Sequence, residues 1–461
     1  MKDSEKLLAK IRDGLDLTSG EKLWLIISLS IPSILAQMTS TLMFFIDAAM
    51  VGALGAKASA SIGIVETTTW LFGSLNAAAS MGFGVQVAQA IGAKDFVKAR
   101  QVVRTGLVAI LCFTLFLTTL AVSVHSKLPL WMGGGEDIAH DASLYFLIFS
   151  LSLPLYQLAN FSTNMLKSSG NMKIPSALNI LACVLDVIFN YFFIYICGWG
   201  VPGAALGSSL AILIPAVILA YFAYWRSPML ALWREKASWR PRKEYLKRAF
   251  FIASPMGLQY SLMNIAQMIS TVIVAPLGNF AIAANNFAIT AEALCYMPGY
   301  GIADAATTLV GQSIGAKRVD LCKSLAWRCV GLGMLVMSVM GFIMYVFAPE
   351  LMGLMTPVDE IVRLGVAALR IEAFAEPMFA AAIISSSCMI GAGDTLIPAC
   401  MNLGTMWGIR LTLAYYLAPI WGLTGVWTAM AIELSMRGLI FLVRLFRGNW
   451  LKIKVAGVPA T

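Results

Sequence analysis

The sequence predicts an all-α integral membrane protein of twelve transmembrane helices, built as two six-helix bundles in a parallel internal repeat. Three observations carry that expectation. Hydrophobic residues make up 59% of the 461-residue chain and charged residues 12%, against about 45–50% and about 25% in a soluble globular domain. Runs such as Thr105–Val124 and Val330–Ala348 hold no charge and are long enough to cross a hydrocarbon core of about 30 Å. Short stretches also recur at a fixed offset of 223 residues. Lipid offers the backbone no hydrogen-bond partner, so a spanning segment is a helix or part of a closed barrel. The apolar runs are continuous rather than alternating, which selects helices.

Taken in order, Met1–Lys22 is polar and charged, without the apolar core and small-residue cleavage site of a removed signal. The first span is therefore expected to be retained. Spans are expected at 23–50, 58–87, 102–125, 143–166, 174–196, 203–225, 248–276, 281–311, 325–348, 364–390, 396–419 and 424–446. The domain reading is a cytoplasmic segment 1–22, a first lobe 23–225, a basic cytoplasmic linker 226–247, a second lobe 248–447 and a cytoplasmic tail 448–461.

Charge orients the spans. Lys94, Lys98 and Arg100 follow span 2, Lys167 and Lys173 follow span 4, and Lys317, Arg318 and Lys323 follow span 8. The link between spans 6 and 7 is richer, with Arg226, Arg234, Lys236, Arg240, Arg242, Lys243, Lys247 and Arg248. The alternate loops hold little beyond Lys57, Lys127 and Arg363. Basic loops stay on the cytoplasmic side, so both termini are expected there, in the inner membrane. The net charge of +9 is then a rim facing anionic lipid and does not imply nucleic acid.

The repeat is carried by four anchors. Ile91-Gly92-Ala93-Lys94 returns as Ile314-Gly315-Ala316-Lys317, Leu54-Gly55 as Leu277-Gly278, and Ile174-Pro175 as Ile397-Pro398. Trp199-Gly200 returns as Trp421-Gly422, one residue short. Six spans per offset give both halves the same orientation, a parallel repeat suited to alternating access. Duplication alone does not define function.

At these residues the sequence resembles the multidrug and toxic compound extrusion family. Residues 88–94 and, more closely, Val310-Gly311-Gln312-Ser313-Ile314-Gly315-Ala316 are similar to that family's xGQxxGA segment. Gly391-Ala392-Gly393-Asp394-Thr395 resembles its RGAGDT, without the arginine, and Trp407-Gly408-Ile409-Arg410-Leu411 its R-x-P-L. One branch couples through a helix-7 glutamate and a helix-10 aspartate. Here helix 7 offers neutral Gln259, Asn264 and Gln267, and Phe379 stands near the helix-10 position. The other branch uses a helix-1 aspartate with an Asn/Asp pair in helix 5. Asp47 matches the first, and Asp186 with Asn190 match the second with the two types transposed.

The polar residues inside spans are few, and each is costly enough to ask for a reason. Asp186 and Asn190 are an i,i+4 pair on one helix face. With Asp47 they fall in the outer half of the first lobe, and they are the candidate ion-coupling set. An ordinary helix-end aspartate is the plainer reading of Asp47. Glu66, Glu292 and Asp304 are candidates to face a substrate cavity, or to pair with Arg410, the one base read as central in a span. Glu372 and Glu376, one turn apart, belong either to the cavity or to Arg370. At the repeat offset Asp47 becomes Ser270 and Asp186 falls near Gly408, so neither acid is duplicated.

These readings converge on a cation-coupled antiporter, driven by H+ or Na+, that exports small organic cations and acts as a monomer among membrane lipids. No further cofactor or metal is expected, since two histidines cannot build a metal cluster. A flippase for a lipid-linked saccharide would want a more basic cavity. A membrane-embedded enzyme would want a nucleophile–base or metal set, and the absence of G-x-x-x-x-G-K-[ST] removes P-loop ATP hydrolysis.

Overall fold

A computed structural model describes residues 2–235 and 238–451. Met1, Lys236 of the linker and the expected tail from 452 lie outside the described residues. Twelve long helical segments follow one another: α1 Ser19–Gly52, α2 Ala56–Gly92, α3 Phe96–Val124, α4 Glu136–Ser168, α5 Lys173–Ile196, α6 Gly200–Arg226 and α7 Lys243–Leu277. Then come α8 Asn279–Gly315, α9 Val319–Met355, the two-part α10 (Asp359–Glu372 and Glu376–Ala392), the three-part α11 (Leu396–Thr405, Met406–Leu411 and Thr412–Trp421) and α12 Leu423–Arg447. They correspond one to one with the twelve expected spans. Eight are long and apolar enough to cross a membrane unaided, and the two halves of α10 together make a ninth. Of the remaining three, α2 and α8 are diluted by Ser, Thr, Asn and Gln, and a wide π turn, Met406–Leu411, interrupts α11.

Local chemistry fixes where these helices begin and bend. Thr18 and Glu21 form a reciprocal capping box at the start of α1: the Thr18 amide donates to Glu21 Oε2 (2.9 Å) and the Glu21 amide to Thr18 Oγ1 (3.2 Å). Lys10 adds a 2.6 Å ion pair to Glu21, and this contact holds the Glu21 carboxyl below its usual range. Lys10 comes from a short amphipathic helix, Lys2–Arg12, whose Leu7, Leu8 and Ile11 are buried. The Asp95 side chain caps α3 by accepting from the Lys98 amide (2.9 Å).

The repeat is written into the backbone as well as the sequence. Gly55 and Gly278, at the starts of α2 and α8, have φ of 110° and 98°, values that favour glycine. Lys94 and Lys317 both hold φ 59° just beyond the ends of the same two helices. Pro32 in α1 and Pro255 in α7 interrupt equivalent hydrogen-bond ladders.

The chain divides into two compact units. One holds residues 39–257; the other holds the residues up to 38 and those from 258 on. The divisions therefore fall inside α1 and α7, a few residues after Pro32 and Pro255, and the 226–247 linker lies wholly within the first unit. That unit packs around Phe83, Ile91, Val103, Phe161 and Met165. The other packs around Met344, Met352, Leu369, Trp427 and Met430.

One expected span differs in form. The segment read as a continuous helix over 364–390 bends by 58° between Glu372 and Glu376. Pro377 occupies the first turn of the second half, where its missing N–H is harmless, and it prevents the preceding turn from continuing.

Candidate functional site

In the first unit, α1, α5 and α6 bring together the three residues of the expected coupling set. The Asn190 amide nitrogen donates to Asp47 Oδ1 (3.1 Å), to Asp186 Oδ2 (3.0 Å) and, more weakly, towards Ser208 Oγ (3.4 Å). The two carboxylates are also close enough for a side-chain hydrogen bond to one another. Asp186 and Asn190 are only 3% and 2% exposed, whereas Asp47 is partly open. Asn190 Oδ1 is buried and has no partner, so the amide retains an unspent acceptor.

Gly207 makes room for this arrangement. A Cβ there would collide with Asn190 Oδ1 and stand 2.9 Å from the Asn190 backbone nitrogen. The close approach of α6 to α5 thus depends on the absence of a side chain.

Glu66 is on an exposed face of α2, where the Trp70 indole N–H lies 3.4 Å from its Oε1. Trp70 in turn stacks on Phe44 of α1, with ring centroids 5.2 Å apart.

The second unit holds a buried charge network larger than the sequence reading anticipated. Arg410, carried on the wide turn of α11, has Glu433, Glu292 and Glu372 as its electrostatic partners, with Arg437 opposing. Arg410 is therefore not the one central base. Arg437 of α12 is also buried, and its Nε donates to Glu433 Oε1 (2.7 Å) and Thr405 Oγ1 (3.1 Å).

Glu372 and Glu376, on either side of the α10 bend, are fully buried, and among the described residues none of their four carboxylate oxygens has a hydrogen-bond partner. Arg370 does not pair with them. It is exposed, donates to the Tyr345 carbonyl (3.3 Å) and stacks over the Tyr345 ring at 5.2 Å. Its side chain is exposed while the glutamates are buried. Asp304 accepts from Ser33 Oγ (2.5 Å).

A small open cleft lies beside Arg410, lined also by Gln267, Ser270, Asn285, Trp427 and Met430. The Trp427 indole N–H donates to Asn285 Oδ1 (2.9 Å), which fixes one wall. Ser270 is the repeat counterpart of Asp47, so the equivalent position in this unit lines a cleft beside Arg410.

Twelve helical segments in a duplicated arrangement, nine of them apolar enough to span a membrane and with charges buried inside each unit, are the architecture of a polytopic membrane transporter. Comparison with known proteins supports that class. The MatE family model matches residues 32–192 and again 255–416, two segments whose starts are 223 residues apart. The chain belongs to the MatE family. The probable multidrug resistance protein NorM of Thermotoga maritima is 25% identical over 435 residues, covering 93% of each chain. The uncharacterized transporter YisQ of Bacillus subtilis is 26% identical over 386 residues, covering 80% of this chain and 82% of its own. A MOP superfamily transporter from Pyrococcus furiosus superposes with a TM-score of 0.87 at 21% identity, covering 93% of this chain and 96% of that one. The Vibrio cholerae MATE transporter VcmN gives 0.87 at 17% identity over 99% of both chains.

Proposed function

We propose that the protein is a cation-coupled antiporter that exports small organic cations across the cytoplasmic membrane by alternating access. The observation that carries this reading is the Asp47–Asn190–Asp186 constellation. Two carboxylates that share one amide donor call for one added positive charge, a proton or a sodium ion. The free Asn190 acceptor can take part in holding either. Loading and release of that charge changes the electrostatics between α1 and α5, and a difference in ion affinity between two states is what shifts their populations.

Substrate selection follows from Glu66. An exposed carboxylate beside a stacked Phe44–Trp70 pair suits a flat organic cation, which can use the ring faces and the charge together. Relatives named for multidrug resistance support the export of drug-like compounds.

Purified protein in liposomes tests the reading directly. Export of a lipophilic cation is expected under an imposed proton or sodium gradient, each applied alone. Glu66→Gln is expected to weaken cation export more than export of a neutral analogue. Transport indifferent to both gradients would remove the coupling. Competition by organic anions, with none by cations, would remove the cationic substrate and leave the transporter.

Orientation belongs to the same proposal: the basic loops put both termini and the linker in the cytoplasm. In a cysteine-free background, an impermeant thiol reagent applied to intact cells is expected to label a cysteine at 127 and not one at 240. Labelling at 240 would invert the topology.

A further inference from the structure

We infer that the outward face of the linker joining α6 to α7 is a binding surface for anionic phospholipid headgroups. Its two sides have different chemistry. The inner side is folded onto the first unit: Leu230 and Ala231 are 0% and 1% exposed. The buried Arg104 guanidinium donates to the backbone carbonyls of Leu232 (2.6 Å) and Glu235. Arg100 stands 3.4 Å from the Glu235 carboxylate and donates to the Met229 carbonyl (3.4 Å). A flexible connector would not spend two arginines on its own backbone.

The outer side is aromatic and cationic. Trp225, Trp233 and Trp239 are 64%, 61% and 54% exposed. The Trp233 indole N–H donates to the Trp225 carbonyl (2.9 Å), and the Arg234 guanidinium lies 5.6 Å over the Trp233 ring. Arg226, Arg234, Arg240, Arg242, Lys243 and Lys247 are exposed, and among the described residues none is ion-paired with a carboxylate. Glu235 is turned inward onto Arg100, so it does not neutralise this face; Glu244, in the first turn of α7, is its exposed acid.

The position selects the ligand. The strap runs from the last residue of α6 to the first of α7, so on the proposed topology it lies where both helices leave the hydrocarbon. Tryptophan rings settle at that depth, and clustered basic side chains draw anionic lipid to it. Charge complementarity favours a lipid with net negative charge over a zwitterionic one carrying the same phosphodiester. This surface does not depend on what is transported or on which ion drives transport.

Full-length protein in nanodiscs provides the test, with brominated phosphatidylglycerol or brominated phosphatidylcholine as the quencher of tryptophan fluorescence. Subtracting the signal of Trp233→Phe/Trp239→Phe isolates the strap. At equal mole fraction, the phosphatidylglycerol is expected to quench these rings more strongly, with a preference that fades at high salt. Each neutralisation in Arg226→Gln, Arg234→Gln and Arg240→Gln is expected to lower that preference about fivefold. The corresponding Arg→Lys variants should keep it and control for folding.

Equal quenching by the two lipids, or a preference that survives the triple glutamine variant, would overturn the inference. So would the same fluorescence change produced by inorganic phosphate in phosphatidylcholine discs, which would make the site one for a free ion. Shielding of the strap only when an acidic protein is added would assign the surface to a protein partner instead.

Discussion

Asp47→Asn is expected to insert and fold, and to abolish gradient-driven export. The amide matches the carboxylate in size and can still meet Asn190 Nδ2 through its oxygen. It cannot take up a proton, and it removes the negative charge that a sodium ion would need. Loss of more than about tenfold in export rate, at unchanged membrane abundance, is the expected readout, since the ion-dependent population shift then has no ligand. Gly207→Ala should reach the same end by another route. Its added methyl group drives Asn190 off the carboxylates while both acids remain, so binding of the coupling ion should weaken more than folding. Full export by a well-expressed Asp47→Asn protein would move the coupling elsewhere in the chain.

Arg437→Met is expected to cost about 3–5 kcal/mol in stability, because it strands the buried carboxylate of Glu433 without its partner. The pair is nearly cut off from solvent, with side chains 8% and 0% exposed. Pairing it with Glu433→Gln should restore much of the loss, since a neutral amide tolerates that site. Thermal unfolding in detergent of the single and double variants measures both effects. A single variant as stable as the parent would show that Glu433 is compensated by Arg410 alone.

Much of this was legible in the sequence because membranes simplify the code. Continuous apolar runs leave little choice but helices, and a polar residue within one stands out. That is why Asp47, Asp186 and Asn190 could be named together: two are an i,i+4 pair, and the third matches the helix-1 aspartate of the family the sequence resembles. Glu433 and Arg437 carried the same spacing inside the expected span 424–446, in the orientation favoured along a helix, and escaped because Arg410 reads as the one central base. The α10 bend had a signal too, in Glu376-Pro377. Its consequence did not: whether a glutamate beside a bend faces inward depends on the bend direction, which no local pattern encodes. Gly207 is of the same kind. Its role exists only across an interhelical contact, and a glycine in an apolar helix has many other reasons to be there.

The Ser270 cleft gives the duplication an unexpected chemical meaning. Prolines, turn glycines and the two Ile-Gly-Ala-Lys corners hold the halves alike in shape, yet the position that is an aspartate in one half is a hydroxyl facing an arginine in the other. The twin halves are therefore alike in form and different in the group they carry at this position. On the proposed coupling, a molecule built this way carries one ion site rather than two, and its copied half is free to specialise. An aspartate restored at 270 would stand in a cleft that Arg410 also lines, a different setting from the Asp186–Asn190 pair beside Asp47.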